Sequence, residues 1–278
     1  MQKNQLVAPV LKWVGGKRQL LDALIPLLPE KITTYCEPFA GGAAMLFHLQ
    51  PKIAYVNDVN IDLMQVYYTI RDNVNELIDI LTQYKNDQDF YYYIRDLDRD
   101  PGKYATLSEI EKAARIIYLN KTCFNGLYRV NSSGEFNSPF GYYKNPSIVN
   151  APILRAVNAY FNKNSIFLTS GDYSEVLQKL PRGSFVYLDP PYDPVSTTSN
   201  FTGYTKGGFS KEEQIRLRKC CDSLTDRGIH FMLSNSATDF IKEQYASYDI
   251  TIVQAKRAIS SNPAKRGNIN ELVVRNYE

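Results

Sequence analysis

Asp189-Pro190-Pro191-Tyr192 places a carboxylate, two ring-locked residues and an aromatic plate directly after the strand-like run Ser184–Leu188. That set suits holding a flat ring that bears an amino group, because the carboxylate accepts from the amine and the aromatic covers the ring. Proline fixes its own φ and restricts the residue before it, so Asp189 and Tyr192 are presented with little freedom. A strand delivers its last residues to the carboxyl edge of a sheet, where open α/β sheets build ligand crevices. Taken alone, the four residues also read as a stiffened loop with a surface Asp and a packed Tyr.

A second set lies earlier. Glu37-Pro38-Phe39-Ala40-Gly41-Gly42 follows one strand-like run and precedes an apolar helix, and glycines there let backbone approach a ligand closely. The next strand ends in Asn57-Asp58, about twenty residues on, where an acidic side chain can accept from both hydroxyls of a ribose. There is no GxGxxG to wrap a pyrophosphate and no GxxxxGK[ST] to cradle a triphosphate. A ribose site without a phosphate cradle points to a nucleoside cofactor such as S-adenosylmethionine; the plainer alternatives are a tight turn for the glycines and a helix cap for Asp58. Upstream, the only tryptophan, Trp13, stands between Lys12 and Lys17, where its ring can pack on another ring and Lys17 can meet a carboxylate.

Short β-like runs alternating with helix-length segments indicate a layered α/β sheet. The candidate strands are Thr33–Glu37, Ile53–Asn57, Ile166–Leu168, Ser184–Leu188, Ile229–Leu233, Ile250–Gln254 and Glu271–Arg275, the first five parallel and the last two a hairpin-like antiparallel end. Between them, Ile61–Asp72, Asn75–Tyr84 and Ser108–Lys121 read as helices, the third opening with Ser108 and Glu111 in capping-box spacing. The expected organisation is a catalytic domain of residues 1–59 and 165–278, with a mainly helical subdomain, 60–164, inserted and carrying a loop at 123–146.

With 278 residues, 44% hydrophobic and 22% charged, the chain has material for one large or two modest soluble domains. It shows neither a leader pattern nor an apolar run long enough to span a bilayer, so a cytoplasmic location and no membrane partner are expected. Cys36, Cys123, Cys220 and Cys221 lack paired CxxC spacing and His48 and His230 are isolated, so neither a metal nor histidine catalysis is expected. The net charge of +3 says little about nucleic acid. The clustering of basic and aromatic residues says more.

In order, these pieces resemble the D12-class DNA adenine N6-methyltransferases of the Dam type. The resemblance runs through Lys12–Lys17, Glu37–Gly42, Asn57-Asp58, Phe124–Arg129, Phe136–Lys144, Asp189–Tyr192, Asn200–Tyr204 and Ser234-Asn235. It implies a Rossmann-like mixed seven-stranded sheet, S-adenosylmethionine as methyl donor, and double-stranded DNA as partner with GATC as the site. It also implies that Trp13, Lys17, Asp58 and Asp189 contact the donor, with Phe39 and Asp172 as further candidates, and that Asp189, Pro190 and Tyr192 meet the target adenine. Leu127, Arg129 and Pro139 match base-reading positions, and Lys12, Asn125 and Tyr143 match positions near DNA. Phe124 departs from the Tyr of some members, so a hydroxyl's contribution there must be replaced by stacking or wedging. Cytosine N4, adenine in RNA, and an inactive DNA-binding module are the rival readings.

The N6 lone pair of adenine is delocalised into its ring. The Asp189 carboxylate and the Pro190 carbonyl can each take one N6 hydrogen, weakening that conjugation with bonds that strengthen as positive charge develops. Holding donor and nitrogen in line supplies the rest. Tyr192 would stack on a base that has left the duplex. Arg129 can bond guanine O6 and N7 together, and Lys12, Lys144, Lys256, Arg257, Lys265 and Arg266 can meet phosphates. The expected working form is a monomer, of which more than one copy can sit on one DNA.

Overall fold

The computed structural model describes residues 3–13, 20–194, 209–256 and 268–278. Seven strands form one sheet: β1 (Tyr35–Glu37), β2 (Ile53–Asp58), β3 (Ser165–Ser170), β4 (Phe185–Leu188), β5 (His230–Ser236), β6 (Asp249–Lys256) and β7 (Asn268–Arg275). Their order is β3-β2-β1-β4-β5-β7-β6, with β1 to β5 parallel and β7 antiparallel between β5 and β6. The sequence therefore places the strands correctly, and the expected hairpin end is present. Its insertion order, with the last strand inside the sheet, follows from pairing between distant residues.

Alternation along the strands sends side chains to two cores. Tyr35, Phe185, Tyr187, Met232 and Val273 join one apolar cluster, while Cys36, Val186, Leu188, Leu233 and Leu272 join the other. All four residues of β4 are buried, as a central parallel strand covered on both faces requires.

Between β2 and β3 the chain is helical: α3 (Ile61–Asp72), α4 (Val74–Gln83), α5 (Gln88–Arg95), α6 (Pro101–Thr106), α7 (Glu109–Thr122) and α8 (Ala151–Lys163). The Ser108–Glu111 capping box opens α7 with both reciprocal bonds formed. The helices α5, α6 and α8 are additions to the sequence reading. In α5 the run Phe90–Tyr93 is aromatic on every side, which hides its period, although Asp87 caps it. The cluster containing Tyr35 and Phe185 continues through Phe47, Tyr67 and Phe161 to Tyr118 and Phe136, so these helices share a core with one face of the sheet. Shorter helices α1 (Leu21–Leu24), α2 (Ala44–Leu49), α9 (Tyr173–Gln178) and α11 (Asp239–Gln244), with the longer α10 (Lys211–Asp226), complete the layers. Among the described residues no helix is long and apolar enough to cross a membrane.

Candidate active site and DNA-reading surface

Sheet order reverses between β1 and β4, and the two turns singled out by sequence leave the sheet on either side of that point. Open α/β sheets bind ligands at such a switch point, outside the carboxyl ends of the strands. The strand ends and the turns that follow bring Glu37 (β1), Asp58 (β2) and Asp189 (just past β4) to this edge. Gly41 adopts φ +47°, and its N–H donates to Asp58 Oδ2 at 2.9 Å while the Asn60 N–H donates to Oδ1 at 2.9 Å. Burial pushes the Asp58 carboxyl up, and these two backbone donors hold it back. Asn57 stitches the edge together, donating to Pro38 O and Gly171 O while accepting from Thr169 Oγ1. Val59 and Ile61, 57% and 69% exposed, flank Asp58 with apolar surface suited to one side of a ring.

Trp13 lies against this turn. A Cβ on Gly41 would come within 3.0 Å of its Cδ1, and one on Gly42 within 3.4 Å of its Cβ. The indole stacks on Tyr128, centroids 4.7 Å apart, so one residue touches both the glycine turn and the 123–146 loop. The adjacent Lys12 backbone is held by Asn120, which accepts from Lys12 N at 2.8 Å and donates to Lys12 O at 2.7 Å and to Gly126 O at 3.2 Å. Neither Tyr128 nor Asn120 was singled out by sequence, although Tyr128 lies inside the Phe124–Arg129 motif.

Phe39 packs into an aromatic group with Tyr173 and Phe209 at centroid distances of 5.0 and 5.9 Å. Asp172 caps α9 through Ser174 N and takes a two-pronged contact from Arg216, at 2.9 and 2.5 Å. Those Arg216 bonds hold its carboxyl down at about 2. Both residues thus have packing or capping roles in the fold itself. Lys17, Asn200–Tyr204, Arg257, Lys265 and Arg266 lie outside the described residues.

In the Asp189–Tyr192 turn, the Tyr192 hydroxyl donates to Glu271 Oε2 of β7 at 2.7 Å. Burial, then the Asp189 charge, drives that phenol well above its ordinary range. The ring is therefore tethered at its far end, by a residue 79 positions away that no local pattern identifies.

The 123–146 loop is an irregular hairpin, pinned by bridges Cys123 to Phe140 and Val130 to Phe136. Phe136 and Phe140 are buried, while Phe124, Asn125, Arg129, Pro139 and Tyr143 are exposed and Leu127 is half-buried. Asn125 and Gly126 take φ of +59° and +63°, the left-handed region, and the Asn125 side chain is exposed. At φ +63° a Cβ on Gly126 would be strained and would stand 3.2 Å from Asn120 O and 2.7 Å from the Lys12 side chain, so this turn beside Lys12 favours glycine. Lys12 Nζ sits 6.0 Å from the Tyr143 ring centroid, and the Arg129 guanidinium is braced by Asn137 Oδ1 at 2.7 Å and Asn137 O at 3.2 Å. Sequence-predicted DNA residues Lys12, Phe124, Asn125, Leu127, Arg129, Pro139 and Tyr143 thus converge on one loop and the segment beside it.

Comparison with known proteins bears directly on this arrangement. The description of the D12 class N6 adenine-specific DNA methyltransferases matches residues 13–259. The chain belongs to this family. A type II methyltransferase from Lactococcus lactis subsp. cremoris, M1.LlaDCHI, is 45% identical over all of this chain and 98% of its own length. A type II methyltransferase from Methanocaldococcus jannaschii, M.MjaIII, is 40% identical over 98% of this chain and 99% of its own length. The DNA adenine methylase of Escherichia coli K12 is 33% identical over 98% of this chain and 95% of its own length. The methyltransferase is accordingly an adenine-specific enzyme that acts on DNA, and its class implies S-adenosylmethionine as the donor. The edge residues fit such a donor: carboxylates at Asp58 and Asp189 suit a cationic amino-acid nucleoside with ribose hydroxyls, and Val59 and Ile61 suit its base. Among the described residues no group of three or more His, Cys, Asp or Glu is arranged to hold a metal ion.

Proposed function

We propose that this enzyme methylates adenine N6 within GATC in duplex DNA, working on a base flipped out of the stack. Asp58, Trp13 and Lys17, with Val59 and Ile61, would hold S-adenosylmethionine, and Phe39 and Asp172 would support that wall through α9. Bound there, the donor supplies an electrophilic methyl on a sulfonium centre. The chain's own work is then to hold and polarise the acceptor. Asp189 and the Pro190 carbonyl take the two N6 hydrogens, Asp189 bears the growing positive charge, and Tyr192, fixed by Glu271, covers the base. Residues 60–164 serve as the target-recognition insert. In its loop Arg129 presents the guanidinium edge not used by Asn137 to a guanine, Leu127 and Pro139 touch a thymine methyl, Phe124 wedges beside the vacated base, and Lys12, Asn125 and Tyr143 face the DNA.

The observation that carries this reading is the position of the Asp189 turn at the sheet switch point, beside the Gly41–Asp58 pair. The surrounding charge agrees with it, since a cationic donor and an amine gaining charge both meet carboxylates. In the test, Asp189→Ala is mixed with labelled donor and duplex under single-turnover conditions. The reading expects transfer to be abolished with duplex affinity retained; a near-normal rate would refute the role of Asp189.

A further inference from the structure

Behind the Asp189–Tyr192 turn lies a buried polar network that the reaction chemistry does not by itself require. Gln214 of α10 and Asn235 of β5 are 1% and 0% exposed. Gln214 Nε2 donates to Pro191 O at 2.9 Å, and Gln214 Oε1 accepts from Asn235 Nδ2 at 3.0 Å. Asn235 Oδ1 accepts from the Asp193 N–H at 3.0 Å and from the Ser236 N–H at 2.8 Å. Ser236 Oγ donates to Asp193 O at 2.5 Å, and Thr238 Oγ1 to Asp193 Oδ2 at 2.7 Å. The chain of donors is closed: it starts at one backbone group of the turn, passes through two side-chain amides, and ends at another backbone group two residues away. Each amide has its oxygen and nitrogen used in one orientation only, so flipping Gln214 would break two bonds and flipping Asn235 three. Buried unmatched amides are costly, which makes this a rigid element with one arrangement.

We propose that Gln214 and Asn235 are positioning residues for methyl transfer, fixing the Pro190-Pro191 backbone so that the Pro190 carbonyl and the Asp189 carboxylate stand at the separation an amine needs. Proline lacks an N–H, so the two prolines cannot be pinned through donors of their own. Their carbonyls are the available handles. Gln214 takes the Pro191 carbonyl, and the Pro190 carbonyl, one peptide earlier, is aimed by that grip. The turn thus gains from α10 and β5 a rigidity that its own residues cannot supply.

The inference rests on the Asp189–Tyr192 turn serving the transfer, and the test separates the two. Gln214→Leu, of similar volume, removes both bonds. Its single-turnover methyl transfer should fall by about 10²-fold, the penalty of a misplaced acceptor. Its affinities for labelled donor and for duplex should stay within about threefold of the parent's, as expected when only the transition state loses support. Gln214→Glu gives a readout that loss of structure alone would not produce. Fully buried and facing the Pro191 carbonyl, a Glu here favours its protonated form, whose O–H restores the donor. Transfer by this variant, relative to the parent, should therefore be near normal at about pH 6 and fall towards about pH 9. Asn235→Asp, which keeps the Asp193 contact but loses the donor to Gln214, should show an intermediate defect. Rates within about threefold of the parent for all three variants would overturn the clamp, as would losses of binding that parallel the losses of rate. If Gln214→Leu does not fold, Gln214→Glu decides, and a pH-independent ratio to the parent overturns the proposal. Absence of transfer by the parent enzyme would instead refute the function of the turn itself.

Discussion

Glu37 illustrates how a side chain can shape the site from within the core. Its Oε2 accepts from the Tyr35 hydroxyl at 2.8 Å and from the Leu46 N–H at 3.1 Å. Burial nevertheless outweighs both bonds and raises the carboxyl from 4.5 to about 8, with the Asp189 and Asp58 charges adding to the rise. Asp58 and Asp189 stand along the same edge, and their charges work against ionisation of Glu37 between them. Because the folded value is the higher one, this group's favourable contribution is complete below pH 4.5 and is lost as pH rises through about 8. Glu37→Gln should remove that loss. Melting curves across the window should converge at the acid end and leave the variant a few degrees more stable at the alkaline end; parallel curves would contradict the assignment. The sequence identified Glu37 only as the start of a motif: strand alternation puts Tyr35 on the same face, but the burial of the pair and the Leu46 N–H that completes it depend on residues elsewhere in the chain. Asp58 and Gly41 were legible because strand end and glycine turn are written side by side. Asn120, Gln214 and Glu271 were not, because their partners lie far away in the chain.

At the level of elements, periodicity and caps made α3, α4 and α7 readable, and the loop at 123–146 announced itself by composition. What holds that loop was hidden. Arg115, 2% exposed, pairs with Asp98 at 2.7 Å and donates to Ile94 O and Arg95 O, while Asp98 Oδ2 also accepts from the Phe136 N–H at 2.8 Å. One buried ion pair therefore anchors the 123–146 hairpin to the helices beneath it. Asp98→Ala would strand the Arg115 charge, and removing one member of a buried pair costs about 3–5 kcal/mol. Denaturant unfolding should show that loss, and amide exchange should rise first around Phe136. A cost below about 1 kcal/mol would mean that the pair is effectively exposed to solvent. The aromatic-rich α5, which supplies Ile94 and Arg95 to this anchor, showed no helical period in the sequence because Phe90–Tyr93 is aromatic on its buried side and its exposed side alike, with Tyr91 buried and Tyr93 61% exposed.

For the molecule as a whole, the proposed division of labour puts the chemistry on one sheet edge and the sequence reading on the insertion between β2 and β3, with Trp13 touching the glycine turn and Tyr128 of the loop. The strand runs fixed the sheet's composition, yet the entry of β7 between β5 and β6 depends on long-range pairing. That placement brings Glu271 to Tyr192. Division of labour predicts separable defects. Arg129→Ala should relax discrimination at one base pair, by the roughly 1–3 kcal/mol of a two-pronged guanine contact, while leaving the rate on the preferred site less affected than Asp189→Ala does. Uniform weakening over all duplexes would recast Arg129 as a phosphate contact. The most direct test of the central claim incubates the enzyme with methyl-labelled S-adenosylmethionine and unmethylated duplexes that contain GATC or differ from it at one position, and then identifies the labelled base. The account predicts N6-methyladenine, formed in the GATC duplex and strongly reduced in the others. Label on cytosine, or equal labelling of every duplex, would contradict it.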